Sequence, residues 1–214
     1  TIIGQQAGIA LTTGNNNVFV GQANGDALTT GYENVSVGTG AFSATGTNAY
    51  HNVSIGQGAL TNTTTHSNVA IGKATLETAT SAARNTVVGK DAAHLLTTGS
   101  DNAVFGQRAG EEMTTAFNNL LVGTQAGRNL TTGHSNVIVG HYSSGDPLTT
   151  GNQNVILHGN VSAAASEYEF VIGPIAGRGN GTFVAAGTNG CFQQQNNSTW
   201  NTTSDRRIKK NIVD

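Results

Sequence analysis

The string NVFVG at residues 17–21 returns as NVSVG at 34–38, NVSIG at 52–56, NVAIG at 68–72 and NTVVG at 85–89. It continues as NAVFG at 102–106, NLLVG at 119–123, NVIVG at 136–140 and, more loosely, NVILHG from Asn154. The recurring Asn residues are Asn17, Asn34, Asn52, Asn68, Asn85, Asn102, Asn119 and Asn136; the closing glycines are Gly21, Gly38, Gly56, Gly72, Gly89, Gly106, Gly123 and Gly140. The period is 17 with slips of one residue. Between these strings, LTTG recurs at Leu11, Leu28, Leu96, Leu130 and Leu148, and a G-x-x-A-G string spans Gly4 to Gly8, Gly106 to Gly110 and Gly123 to Gly127.

Each unit holds one short run with apolar residues at alternating positions, such as Val18 and Val20, which is the period of a strand bounded by turn-forming Gly and Asn. A rung with so few large side chains cannot bury a core alone, so successive rungs must stack about 4.8 Å apart and satisfy one another's backbone groups. The expected fold is therefore all-β, a parallel β-solenoid or β-roll of about nine 17-residue rungs over residues 1–173, each chain coiling on itself over roughly 45 Å. Gly after each strand suits a corner with positive φ, and the Asn suits either a left-handed corner or a ladder of stacked side-chain amides.

Two internal comparisons sharpen this. At the fourth and seventh positions after the strand Gly, volumes exchange. Gly8, Gly25, Gly110 and Gly127 accompany Leu11, Leu28, Met113 and Leu130, whereas Phe42, Leu60 and Leu76 accompany Thr45, Thr63 and Ala79. One interior space filled from either position is expected, because a close-packed core tolerates volume-conserving exchange. The middle strand position runs Phe19, Ser36, Ser54, Ala70 and then Val87, Val104, Leu121, Ile138, Ile156. One roll offers one interior, so where both strand faces are apolar the other face is expected to meet another chain, in a homotrimer packed more closely towards the C-terminal end, with extra width of the roll itself as the alternative.

Composition excludes several functions. The 214 residues are 10% charged, against about 25% usually, with net charge -2 and 29 Gly. This leaves no basic footprint for nucleic acid and no polybasic stripe for anionic lipid. No apolar run reaches the roughly 18 residues of a membrane helix, so no membrane insertion is expected. The chain opens at Thr1 without Met or a signal-peptide pattern, as a fragment or processed product would. One cysteine, Cys191, gives no internal disulfide framework and no multi-Cys zinc cage.

Catalytic and metal chemistry have few candidates. A glycosidase needs paired carboxylates, and Asp26, Glu33, Asp91, Asp101, Glu111, Glu112 and Asp146 fall mostly in turn segments. The six histidines, His51, His66, His94, His134, His141 and His158, contain no H-x-H pair; His66 and His134 share the position two before the strand Asn. No cofactor and no metal are expected. The Gly-rich strings precede no helix that could bind phosphate, and N-x-S/T sites such as Asn34, Asn52, Asn62, Asn129 and Asn197 carry little weight in so Asn- and Thr-rich a chain. An ice-binding solenoid would need ranked threonines on a flat face, whereas the adjacent threonines of LTTG sit beside Gly, as at a corner.

From about Pro174 the register is lost, and residues 174–203 read as an irregular connector anchored by Trp200. The segment SDRRIKKNIVD at 204–214 then holds four of the ten basic residues. Its Ser204, Asp205, Arg207, Lys209, Asn211 and Ile212 resemble the opening S-D-x-R-x-K-x-N-I of the self-cleaving intramolecular chaperone domain of endosialidase-type phage tailspikes, tail fibres and neck appendages, and of related proteins of large DNA viruses. The resemblance implies a trimeric β-fibre released from its chaperone, with the cut at Ser204 and Asp205, Ser204 as nucleophile and Lys209 as its partner. A desolvated, neutral Lys can take the hydroxyl proton of such a Ser. Nearly all of that domain is absent before Asp214, so apart from one-time cleavage in the presence of the full domain no enzymatic activity is expected.

The repeats also resemble the head domains of YadA-type trimeric autotransporter adhesins, with NVAIG at 68–72 the closest string. Together the resemblances imply a homotrimeric, structural and adhesive protein that meets a host-surface receptor or glycan. It would lie on a virion surface as a tail fibre or appendage, or alternatively on a bacterial cell surface.

Overall fold

A computed structural model of the chain describes residues 1–43, 49–62, 66–142, 147–158, 165–168, 170–172, 184–187 and 190–192. The described strands are β1 (Ile2–Ile3), β2 (Val18–Val20), β3 (Val35–Val37), β4 (Val53–Ile55), β5 (Val69–Ile71), β6 (Thr86–Val88) and β7 (Ala103–Phe105). They continue as β8 (Leu120–Val122), β9 (Val137–Val139), β10 (Val155–Leu157), β11 (Phe170–Ile172), β12 (Val184–Gly187) and β13 (Gly190–Phe192). All lie in one sheet in sequence order. Each strand from β1 to β10 pairs in parallel with the next, for example Val18 with Val35 and Leu120 with Val137. The protein is thus an all-β parallel solenoid, coiled on itself. Within the 174–203 connector, β12 and β13 extend the sheet antiparallel from β11; Trp200 lies outside the described residues.

The Asn that precedes each strand from β2 to β10 builds a buried side-chain ladder. Asn102 accepts at Oδ1 from the backbone N–H and the Nδ2 of Asn119, both at 3.1 Å. It donates from Nδ2 to Asn85 Oδ1 and to Ala116 O, both at 2.9 Å. The same pattern runs from Asn17 to Asn154. A buried amide must spend its hydrogen-bonding capacity somewhere, and stacking identical rungs does so without a water. The left-handed corner falls on the residue before each Asn, as at His51 (φ +56°) and Asp101 (φ +62°).

The strand glycines sit at φ between +125° and +152°, a region open to Gly alone. They also pack backbone on backbone, since a Cβ on Gly38 would lie 2.6 Å from the carbonyl oxygen of Gly56.

The interior is filled by the middle position of the strands. In the strands from β2 to β10 the middle residue points into the solenoid, and Phe19, Val87, Val104, Leu121, Ile138 and Ile156 are fully buried within one chain. They do not face a second chain. The physical reason is a volume exchange of wider scope than the expected one. Small middle residues, Ser36, Ser54 and Ala70, coincide with the large Phe42, Leu60 and Leu76 four residues after the strand Gly, all of them buried. Large middle residues coincide with small ones there, Phe19 with Gly25, Val87 with Ala93, Val104 with Gly110 and Leu121 with Gly127, and a Cβ on Gly127 would lie 3.0 Å from both Leu121 and Ile138 side chains. The seventh position joins the same core through Leu28, Leu96, Met113 and Leu130; Thr45 and Thr63 lie outside the described residues. The fourth position is left-handed in these rungs, with φ +52° at Phe42 and at Leu76. That conformation costs a non-Gly residue about 1–2 kcal/mol, which burial of the large side chain, about 1.5–3 kcal/mol, offsets.

Candidate interaction surface

With the middle residues inside, the first and third residues of each strand face outward. Both outward columns are apolar along most of their length. Val35, Val37, Ile55, Phe105 and Leu120 are 36–40% exposed, and Val18, Val20, Val69, Ile71, Val137 and Val139 are half-buried beside them. From β2 to β10 neither column contains a charged residue. Parallel sheets are normally covered on both faces, and a contiguous apolar patch is uncommon on a monomer. This face is continuous because the rungs are in register.

Beside the sheet, a column of rings occupies the position two before the ladder Asn. Tyr32 stacks on Tyr50 at 5.0 Å between centroids and Tyr50 on His66 at 4.7 Å. After two rungs carrying Ala83 and Ser100, Phe117 stacks on His134 at 4.5 Å. His66 and His134 thus belong to one aromatic column, and their shared sequence position was the visible part of it; Tyr32, Tyr50 and Phe117 share that position too. His51, one residue further on, pairs with Glu33 at 2.6 Å and sets its ring edge-on to Tyr32 and Tyr50. His94 pairs with Glu77 at 3.3 Å, and His141 stacks on His158 at 5.3 Å. Among the described residues no group of three or more His, Cys, Asp or Glu gathers as a metal site would.

Several of the candidate carboxylates pair with Arg or Lys, whereas Asp26 keeps a buried Oδ1 without a hydrogen bond. Arg84 donates to both oxygens of Asp101 at 2.7 Å, and these hydrogen bonds hold the Asp101 carboxyl below its usual range, against its slight burial and with the help of the guanidinium charge. Glu111 accepts from Arg108 at 3.0 Å and from Arg128 at 2.8 Å. Burial pushes its carboxyl up, but the two guanidiniums outweigh burial and leave it below the usual range. Lys90 lies 3.5 Å from Asp91. A general acid needs a raised pKa, and neither shifted carboxylate supplies one. Asp146 lies outside the described residues.

Ser204, Asp205 and Lys209, the residues of the expected self-cleavage site, also lie outside the described residues. Among the described residues no helix is long and apolar enough to cross a membrane. No family model, curated protein or solved structure matches this chain.

Proposed function

We propose that this chain is the structural and adhesive segment of a homotrimeric viral tail fibre or appendage, followed by a self-cleaving chaperone whose first residues are Ser204 to Ile212. The observation that carries the trimer is the pair of outward apolar columns. Three solenoids set face to face would cover them and leave the charged corners and aromatic columns in solvent. The basic segment at 204–214, with its S-D-x-R-x-K-x-N-I pattern, supports the viral assignment, and a host-surface receptor or glycan is the partner such a fibre meets. The head of a bacterial trimeric surface adhesin is the second reading, favoured by the NVAIG string at 68–72, whose Val69 and Ile71 lie in the outward columns.

The test is the native mass of the chain in solution, followed by the denatured mass of the protein recovered from its natural assembly. A native mass three times the 21.8 kDa of the chain supports the fibre, and a monomer overturns it. A denatured chain ending at Ser204, and an uncut Ser204→Ala variant, support the chaperone.

A further inference from the structure

The protein has four tyrosines, and two of them stand on neighbouring rungs of the aromatic column. Tyr32 and Tyr50 form a parallel β-bridge, so their side chains leave the backbone side by side and in one direction. Their rings lie 5.0 Å apart between centroids with 1° between the planes, which sets each ortho carbon beside its counterpart. His66 backs the far side of Tyr50 at 4.7 Å, so a tilt of the Tyr50 ring is towards Tyr32. His51 sets its ring edge-on to both, 5.7 Å from Tyr32 and 5.0 Å from Tyr50 between centroids, and is itself held by Glu33 at 2.6 Å. The pair still reaches solvent: Tyr32 is 37% exposed and Tyr50 is half-buried. The other two tyrosines, Tyr142 and Tyr168, are exposed and stack on no tyrosine among the described residues.

We propose that Tyr32 and Tyr50 form an oxidative cross-linking site, which hydrogen peroxide acting through a one-electron peroxidase converts to an intrachain dityrosine. Each phenol gives up one electron and its O–H proton and becomes a phenoxyl radical, whose unpaired spin is shared with the ortho carbons. The two radicals join through a C–C bond between one ortho carbon of each ring. Each of those carbons then loses its hydrogen to the ring oxygen by way of water, which restores both phenols. Two tyrosines thus give up two electrons and two protons, and one hydrogen peroxide takes them up with two more hydrogens of its own as two waters. Proximity decides which pair couples, because a phenoxyl held against a second phenol meets it at a far higher effective concentration than it meets any phenol in solution. Closing the rings from stacking distance to a bond takes a tilt about their side-chain torsions, while the backbone stays in the bridge. The product ties two neighbouring rungs covalently where hydrogen bonds and packing otherwise join them. Both rings belong to one chain, so the site is independent of whether the chains form a trimer.

The experiment treats the whole chain with a peroxidase and hydrogen peroxide, and reads dityrosine fluorescence, the denatured mass and the peptides of a protease digest. The expected product is a single chain lighter by two hydrogens, in which the peptide holding Tyr32 is joined to the peptide holding Tyr50. Tyr32→Phe and Tyr50→Phe each keep a ring in the column, so the circular dichroism spectrum should stay unchanged while the single-chain fluorescence falls at least about tenfold. Tyr142→Phe with Tyr168→Phe should leave that fluorescence as it was. Oxidised protein should melt at a higher temperature than untreated protein, because the tie restricts the unfolded chain as a disulfide does; oxidised Tyr32→Phe should not. Fluorescence that survives Tyr32→Phe, a link through Tyr142 or Tyr168, or a denatured mass of joined chains in place of the single one overturns the proposal. So does the absence of a Tyr32–Tyr50 link under conditions that couple free tyrosine.

Discussion

The ring of Phe19 occupies the space that a side chain on Gly25 would need: a Cβ on Gly25 would lie 2.7 Å from Phe19 Cε2. Two rungs share this logic in opposite senses, since Ser36 in the next rung makes room for Phe42. Gly25→Phe alone should destabilise the protein by about 3 kcal/mol, through overpacking and the left-handed backbone. Adding Phe19→Ser should recover about 2 kcal/mol of that, as interacting pairs do. Urea unfolding of the two single variants and the double variant measures the coupling, and additive losses would remove the shared-space account.

The glycines divide into two kinds, and substitution should separate them. Gly56 combines φ +132° with backbone contact to Gly72, whereas Gly58 has φ +65° and only Glu77 Oε1 within 4 Å. Ala23, Ala74 and Arg108 occupy the Gly58 position in other rungs with φ near that value. Gly56→Ala should cost at least about 3 kcal/mol and Gly58→Ala about 1 kcal/mol or less. Thermal melts of both variants would decide it; equal losses would mean that close approach plays no part.

The repeat, the parallel ladder and the Gly corners were legible in the sequence because each is a demand of the backbone repeated at one period. Which strand face points inward was not. Val18 and Val20 look like core residues and Ser36 looks like a surface one, since hydrophobicity alone cannot distinguish a small residue in solvent from a small residue beside a large neighbour. Phe42 resolves the ambiguity, but only once its left-handed backbone is seen to leave both it and Ser36 buried in one interior. The aromatic column was half legible, through His66 and His134, because its members differ in residue type and share only a position. Ser204 and Lys209 rest on residue pattern alone.

Asn102 lies inside a ladder whose interior amides both give and receive. Asn102→Ala should cost on the order of 3 kcal/mol, because it strands the buried N–H of Asn119 and takes the side-chain donor from the Ala116 carbonyl. Asn102→Asp should be worse at pH 7 than at pH 4, since an ionised carboxylate cannot donate to Asn85 Oδ1 and its charge is buried. Melting temperatures at the two pH values test this; an aspartate variant insensitive to pH would contradict it.

Acid should loosen the corners before the core. The carboxyls of Asp101 and Glu111 sit below their usual range in the folded chain. Their stabilisation is therefore complete above the usual carboxylate range, near pH 4, and is lost as pH falls through the lowered folded values. Glu111→Gln should lower stability at pH 7 and flatten the acid limb of the melting-temperature profile. An unchanged slope would assign the acid sensitivity elsewhere.

If the outward columns hold chains together, charges placed there should separate them without unfolding them. Val37→Lys with Ile55→Lys substitutes two residues that are 39% and 38% exposed in the single chain. The expected outcome is a native mass reduced to that of one chain, with a retained β-sheet circular dichroism spectrum. A trimer that persists would place the contact on another face.

Parallel sheets usually fold slowly because their partners lie far apart along the chain. In the Asn ladder, successive partners are only 16 to 18 residues apart, so every closure costs nearly the same small loop entropy wherever it begins. The described strands are energetically a row of dominoes, each paired with its neighbours along the chain, able to start at any rung and spread in both directions. The same economy makes it breakable in the middle: a single failed amide divides the row into two shorter ones, each ending in an open edge.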